Sequence, residues 1–226
     1  MFRMGDFLSV PEPKWVPCEL CGTENTRRVC WECSKPKSEV VTGHPIVAEV
    51  RRRLPASFQN VSLDDLASLR TRVRDQGAIR LAKRAVNASK VVLVGPSGMG
   101  KTTLVAAMAM ARAQSTGLSA WWVSAPELSK VCAEHPLGRG EHPLMSTATG
   151  PGLLIFDDVG NETTPPSQNK TPDVMVARYD NALPTWVTTG LDWGQMAARL
   201  GENIARRVFE NAQVIELGKA VRAVGT

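Results

Sequence analysis

The feature that most constrains this chain is the run from Val91 to Thr103. Val91-Val92-Leu93-Val94 leads into Gly95-Pro96-Ser97-Gly98-Met99-Gly100-Lys101-Thr102-Thr103, and a stretch rich in Ala, Met and Leu continues to Ala113. Hydrophobic strand, glycine-bearing loop and helix, in that order, satisfy the P-loop pattern G-x-x-x-x-G-K-[ST]. Glycines let the backbone wrap a phosphate closely, with successive N–H groups pointing inward. The helix that follows presents its positive N-terminal end to the same phosphates. Lys101 is placed to reach the β- and γ-phosphates of ATP, and the Thr102 hydroxyl to ligate Mg²⁺. The competing account is a chance glycine-rich turn before a core helix; the flanking strand and helix argue against it.

A length of 226 residues accommodates one α/β domain with a real core plus a small appendage. The net charge of +5 permits contact with nucleic acid without demanding it. No stretch approaches the ~18–20 apolar residues of a membrane span. The first ten residues lack an apolar segment of signal-peptide length. The expectation is a cytoplasmic protein without membrane contact.

Four of the five cysteines fall close together, as Cys18-x2-Cys21 and Cys30-x2-Cys33. Paired thiolates on two tight turns suit tetrahedral Zn²⁺, and four sulfur ligands make a closed, structural site. Two disulfides are the alternative, disfavoured in a reducing compartment. Residues 1–34 therefore read as a zinc module, residues 35–58, with several prolines and Arg51-Arg52-Arg53, as a linker, and residues 59–226 as the ATPase domain. Apolar residues from Leu63 to Asn87 recur at helical spacing, with Gly77 as the expected break between two helices and Arg70, Arg72, Arg74, Arg80, Lys83 and Arg84 on a solvated face. His135 and His142, each before a proline, read as turn residues rather than metal ligands.

Leu153-Leu154-Ile155-Phe156-Asp157-Asp158 is a second hydrophobic strand that ends in two carboxylates. A strand end holds Asp157 rigidly beside the Mg²⁺ site, while Asp158 orients or deprotonates the attacking water. One strand–helix unit (119–133) intervenes between the P-loop and this strand, which excludes the nucleotide-kinase layout. Thr185-Trp186-Val187-Thr188-Thr189 reads as a strand alongside the P-loop strand, with Thr188 and Thr189 at its end as candidate sensors of the γ-phosphate. Arg206 and Arg207 share a helix with Ile204, Val208 and Phe209, so one of them points away from the core. Such an arginine can complete a neighbouring subunit's site in trans.

Gly95–Thr102, Leu154–Gly160, Pro184–Thr189 and Gly201–Arg207 resemble, in order and spacing, the DnaC/IstB-type AAA+ ATPases over roughly residues 54–218. The resemblance implies an α/β P-loop NTPase of the AAA+/ASCE class: a three-layer sandwich around a central five-stranded parallel sheet, here with a small N-terminal zinc module. It implies sensor 1 at Thr188 or Thr189, and a finger at Arg207 rather than Arg206. It further implies a slow, Mg-dependent ATPase stimulated by partner or DNA, assembled as a homo-oligomer. The leading expectation is a DnaC-like loader that places a replicative helicase on single-stranded DNA. The second is an IstB-like regulator that multimerises on DNA and recruits a transposase. A third, of another class, is an ATP-gated zinc adaptor with negligible turnover. Loaders carry an extra DNA helix in the connection corresponding to 126–151, which is short here, and they grip the helicase with the region that the zinc module replaces.

Overall fold

The computed structural model describes residues 16–17, 24–25, 45–136 and 138–218. The chain divides into two units, Met1–Val40 and Val41–Thr226. In the first, Val16–Pro17 and Glu24–Asn25 pair antiparallel on either side of the Cys18–Cys21 stretch. All four expected zinc ligands, Cys18, Cys21, Cys30 and Cys33, lie outside the described residues.

In the second unit, strands β1 (Lys90–Val94), β2 (Ala120–Ser124), β3 (Leu153–Val159), β4 (Thr185–Thr189) and β5 (Gln213–Glu216) form one sheet in the order β2-β3-β4-β1-β5. Every pairing is parallel. A parallel sheet is covered on both faces, and its strands read as apolar runs rather than as alternation. Within each run the pleat sends neighbours to opposite faces. Val91, Leu93, Leu153, Ile155, Trp186 and Ile215 belong to one core. Val92, Leu154, Phe156 and Val187 belong to the other.

The first face carries α1 (Pro45–Arg53), α2 (Leu66–Arg72), α3 (Gln76–Ala85) and α4 (Lys101–Thr116). The second carries α5 (Ala125–Ala133), α6 (Pro143–Thr149), α7 (Thr171–Asp180), α8 (Trp193–Leu200) and α9 (Glu202–Phe209). This is the expected three-layer architecture, with the expected five parallel strands.

Three local expectations are corrected. Residues 45–58, read as the end of a linker, form α1 and a 3₁₀ turn at Ala56–Phe58. Val47, Val50 and Leu54 recur at helical spacing and are buried, and Pro45 occupies the first helical position, where a missing N–H costs nothing. Gly77 does not separate α2 from α3. The break falls at Val73–Asp75, and Gly77 lies in the first turn of α3, behind an Asp75 side chain that accepts the Ala78 N–H at 3.0 Å. The connection after α5 holds a further helix, α6. His142 caps it, its Nδ1 accepting the Leu144 N–H at 3.1 Å, and Pro143 again stands at the first turn.

Candidate functional site

The loop after β1 opens at the C-terminal edge of the sheet, and the strands on its β4 side bring polar side chains to the same edge. Gly100 is the N-cap of α4 with φ 89° and ψ 20°, the left-handed conformation in which glycine is favoured. A Cβ there would lie 2.4 Å from the Arg72 carbonyl oxygen, so the α2–α3 junction packs directly on the loop. Lys101 is buried, and its Nζ donates to the carbonyls of Gly95 (2.7 Å) and Pro96 (2.9 Å). Desolvation pulls its ammonium below the usual lysine range, and the nearby Asp158 and Asp157 carboxylates work against that shift. A cavity of about 330 Å³ is lined by Arg72, Gly98, Gly100, Lys101, Thr102 and Asp158, among others.

The two acids occupy different environments because β3 departs from regular pairing there. Its register with β4 shifts between Phe156 and Val159, while Asp157 still pairs with Ser124 of β2. Asp158 takes φ 65°, which turns it out of the strand. Asp157 stays buried at the strand end, where its Oδ1 accepts from Thr188 Oγ1 (2.6 Å) and Thr102 Oγ1 (3.2 Å). Burial pushes its carboxyl above the ordinary range, and the Thr188 hydrogen bond opposes the shift. Asp158 faces the cavity, and its Oδ1 accepts from Asn161 Nδ2 at 2.6 Å.

The two threonines part ways. Thr188 Oγ1 donates to the Asp157 carboxylate and accepts the Asp158 backbone N–H at 2.9 Å, so one hydroxyl ties Asp157 to the backbone of Asp158. Thr189 Oγ1 donates to the Val159 carbonyl (2.8 Å) and accepts the Leu191 N–H (3.0 Å), which fastens the strand ends instead.

Arg206 and Arg207 sit at the other edge. Lys90, the first residue of β1, donates from Nζ to the carbonyls of Arg207 (3.0 Å) and Glu210 (2.7 Å). The P-loop begins after the last residue of that strand, about 13 Å away at ~3.3 Å per residue. Arg206 pairs with Glu210 (2.8 Å) and donates to Tyr179 Oη (3.1 Å). Arg207 has no carboxylate partner among the described residues; its Nη1 donates to the Asn203 carbonyl at 3.3 Å, and its Nε is enclosed without an acceptor.

Thr102 and Asp157 thus bring a hydroxyl and a carboxylate oxygen together beside the phosphate loop. Hard oxygen donors of this kind, few in number, fit Mg²⁺, which keeps waters and phosphate oxygens as its remaining ligands. Arg72 is exposed, as expected of a solvated face, with its Nη1 donating to the Ser57 carbonyl at 3.0 Å, and it also lines the cavity. Nothing in its local spacing ties it to a loop 23 residues onward; only the packing of the α2–α3 junction on Gly100 does.

Residues 64–219 match the family model described as IstB-like ATP binding protein. No curated protein sequence matches the chain significantly. Among solved structures, the DnaC helicase loader superposes with a TM-score of 0.61 at 21% identity, over 73% of this chain and 100% of that one. DnaI gives 0.58 at 27% identity, over 74% and 92%. The replication initiator DnaA, bound to AMPPCP and single-stranded DNA, gives 0.54 at 18% identity, over 74% of this chain and 51% of that one.

Proposed function

The chain belongs to the IstB-like ATP-binding protein family, and from that premise we propose that it is a Mg-dependent ATPase that loads a replicative helicase onto single-stranded DNA. The observation that carries the ATPase part is that Lys101, Thr102 and Asp158 line one cavity, with Asp157 and Thr188 buried behind them and hydrogen-bonded to Thr102 and to the Asp158 backbone. Structural likeness to a protein described as a helicase loader and to DnaI supports the role in replication.

In this reading the loop residues Gly95 to Gly100 cradle the phosphates and Lys101 swings from its two carbonyls onto the β- and γ-oxygens. Thr102 and Asp157 would hold Mg²⁺, which would supply charge neutralisation on the phosphate oxygens. Asp158 orients the attacking water. Thr188 acts as the sensor, since its hydroxyl bonds Asp157 and the Asp158 backbone together, whereas Thr189 secures the strand ends. Arg207 serves a neighbouring copy's site in a homo-oligomer: it lies a strand's length from its own loop and lacks the carboxylate that occupies Arg206. Cys18, Cys21, Cys30 and Cys33 would hold Zn²⁺, which would supply the folding free energy of an N-terminal module that binds helicase or DNA.

The family description favours a second reading, an IstB-like ATPase that recruits a transposase on duplex DNA. The test is a pull-down of the host's replicative helicase with and without ATP, in parallel with the transposase. ATP-dependent capture of helicase supports the first reading. Capture of transposase alone replaces it with the second, and capture without measurable phosphate release supports an adaptor of negligible turnover.

A further inference from the structure

The chain's positive charge is concentrated in one segment. Residues 51–84 contain nine Lys and Arg against three Asp and Glu, a net charge of +6; the other 192 residues contain 18 and 19, a net charge of −1. That segment takes in the last three residues of α1, all of α2 and nearly all of α3. Their apolar sides enter a single core with α4, which leaves the charged sides facing outward. Arg51, Arg52, Arg70, Arg74, Arg80 and Lys83 are all exposed, and none forms an ion pair with a described carboxylate.

Helix α3 shows the pattern most clearly. Ala78, Ile79, Ala82 and Ala85 are buried, and Arg80, Lys83 and Arg84 stand on the opposite side at i, i+3 and i+4. Like charges at that spacing destabilise a helix. The macrodipole offsets this for Lys83 and Arg84 in the last turn, but Arg80 lies a turn earlier. A polyanion laid across the layer removes the repulsion and releases its own counterions. By contrast, the connection 125–151 carries Lys130 and Arg139 against Glu127, Glu134 and Glu141, a net charge of −1.

We propose that the outer face of α1–α3, centred on Arg80, Lys83 and Arg84, is the surface that binds the phosphate backbone of DNA. This rests on the DNA role proposed above and names its site. Binding through phosphate alone is independent of sequence and steeply dependent on salt.

The experiment measures the affinity of the full chain for a single-stranded oligonucleotide and for its duplex between 50 and 200 mM salt. Wild type is compared with Arg80→Gln/Lys83→Gln/Arg84→Gln and with Lys130→Gln/Arg139→Gln. Glutamine is a good helix former, so α3 is retained, and unchanged ATP binding serves as the check on folding. The α3 variant is expected to lose at least tenfold in affinity at 150 mM salt. Its salt slope should fall by roughly 2.7 on duplex or 2.1 on single strands, because three phosphates keep the counterions that the wild-type side chains displace. The Lys130/Arg139 variant should bind as wild type. Equal affinity and slope for wild type and the α3 variant overturn this surface while leaving the DNA role standing. Failure of wild type to bind either DNA overturns both. Binding to anionic phospholipid vesicles in place of DNA, abolished by the same triple change, reassigns the surface to membranes and also refutes the proposal.

Discussion

Gly98 and Gly100 offer a paired test of how the phosphate loop is built. Both have positive φ, 78° and 89°, so alanine at either position meets the left-handed penalty of about 1–2 kcal/mol. The loss of unfolded-chain entropy on going from glycine to alanine is common to both and cancels in the comparison. Their surroundings differ. Nothing lies within 4 Å of a Cβ on Gly98, whereas a Cβ on Gly100 meets the Arg72 carbonyl oxygen at 2.4 Å and the Val73 Cα and Cγ2 at 3.0 Å. Relieving that overlap means moving backbone, and overpacking of this sort costs roughly 1–3 kcal/mol more. Gly98→Ala is therefore expected to lose about 1–2 kcal/mol and Gly100→Ala about 2–5 kcal/mol. In urea, with a slope of about 1–3 kcal/mol/M, the two midpoints should differ by on the order of 1 M. The assay is urea denaturation of both variants followed by tryptophan fluorescence, with nucleotide affinity measured alongside. Coincident midpoints would refute the claim that the α2–α3 junction presses on the loop.

Asp157→Asn should raise the melting temperature at neutral pH while abolishing Mg-dependent hydrolysis. Burial holds the folded pKa of Asp157 above its unfolded value, so the ionised form weakens the fold above that pKa, and the advantage of asparagine should vanish as acid protonates the wild-type carboxyl. Arg178 is fully buried, held by burial to a pKa of about 10, and donates to Thr185 Oγ1 and to the carbonyls of Ala148, Gly150, Gly152 and Pro184. Lysine has too few donors for these acceptors, so Arg178→Lys should cost on the order of 2–3 kcal/mol in denaturation, with nucleotide binding per folded molecule unchanged. Arg207→Ala should bind ATP but not hydrolyse it, and mixing it with Asp158→Asn should restore some turnover; no restoration counts against a finger acting in trans. Metal analysis should return about one Zn per chain, and a chelator should release it without loss of the P-loop unit's thermal transition.

The phosphate loop, the acidic strand end and the order of the five strands were legible from the residues because each is a local pattern. An aliphatic run that stops at Gly95 or at Asp157 declares a buried strand wherever it sits in space, and the loop spacing allows one chemistry. Prolines misled for an equally local reason. Pro45 and Pro143 read as breakers, yet each opens a helix, and only the burial of Val47 and Val50, or of Met145 and Ala148, distinguishes the two cases. Thr188 and Thr189 are equivalent in sequence. The parallel register of β4 beside the bulge in β3 gives one hydroxyl to the acids and the other to the strand ends. Arg72 came to the cavity, and Arg206 and Arg207 to the opposite edge, through packing between segments far apart in the chain. What the sequence determined by itself was the set of groups that phosphate chemistry requires. Which of them meet was decided by tertiary packing, because a side chain's partner depends on strand register and helix docking, which no local spacing encodes.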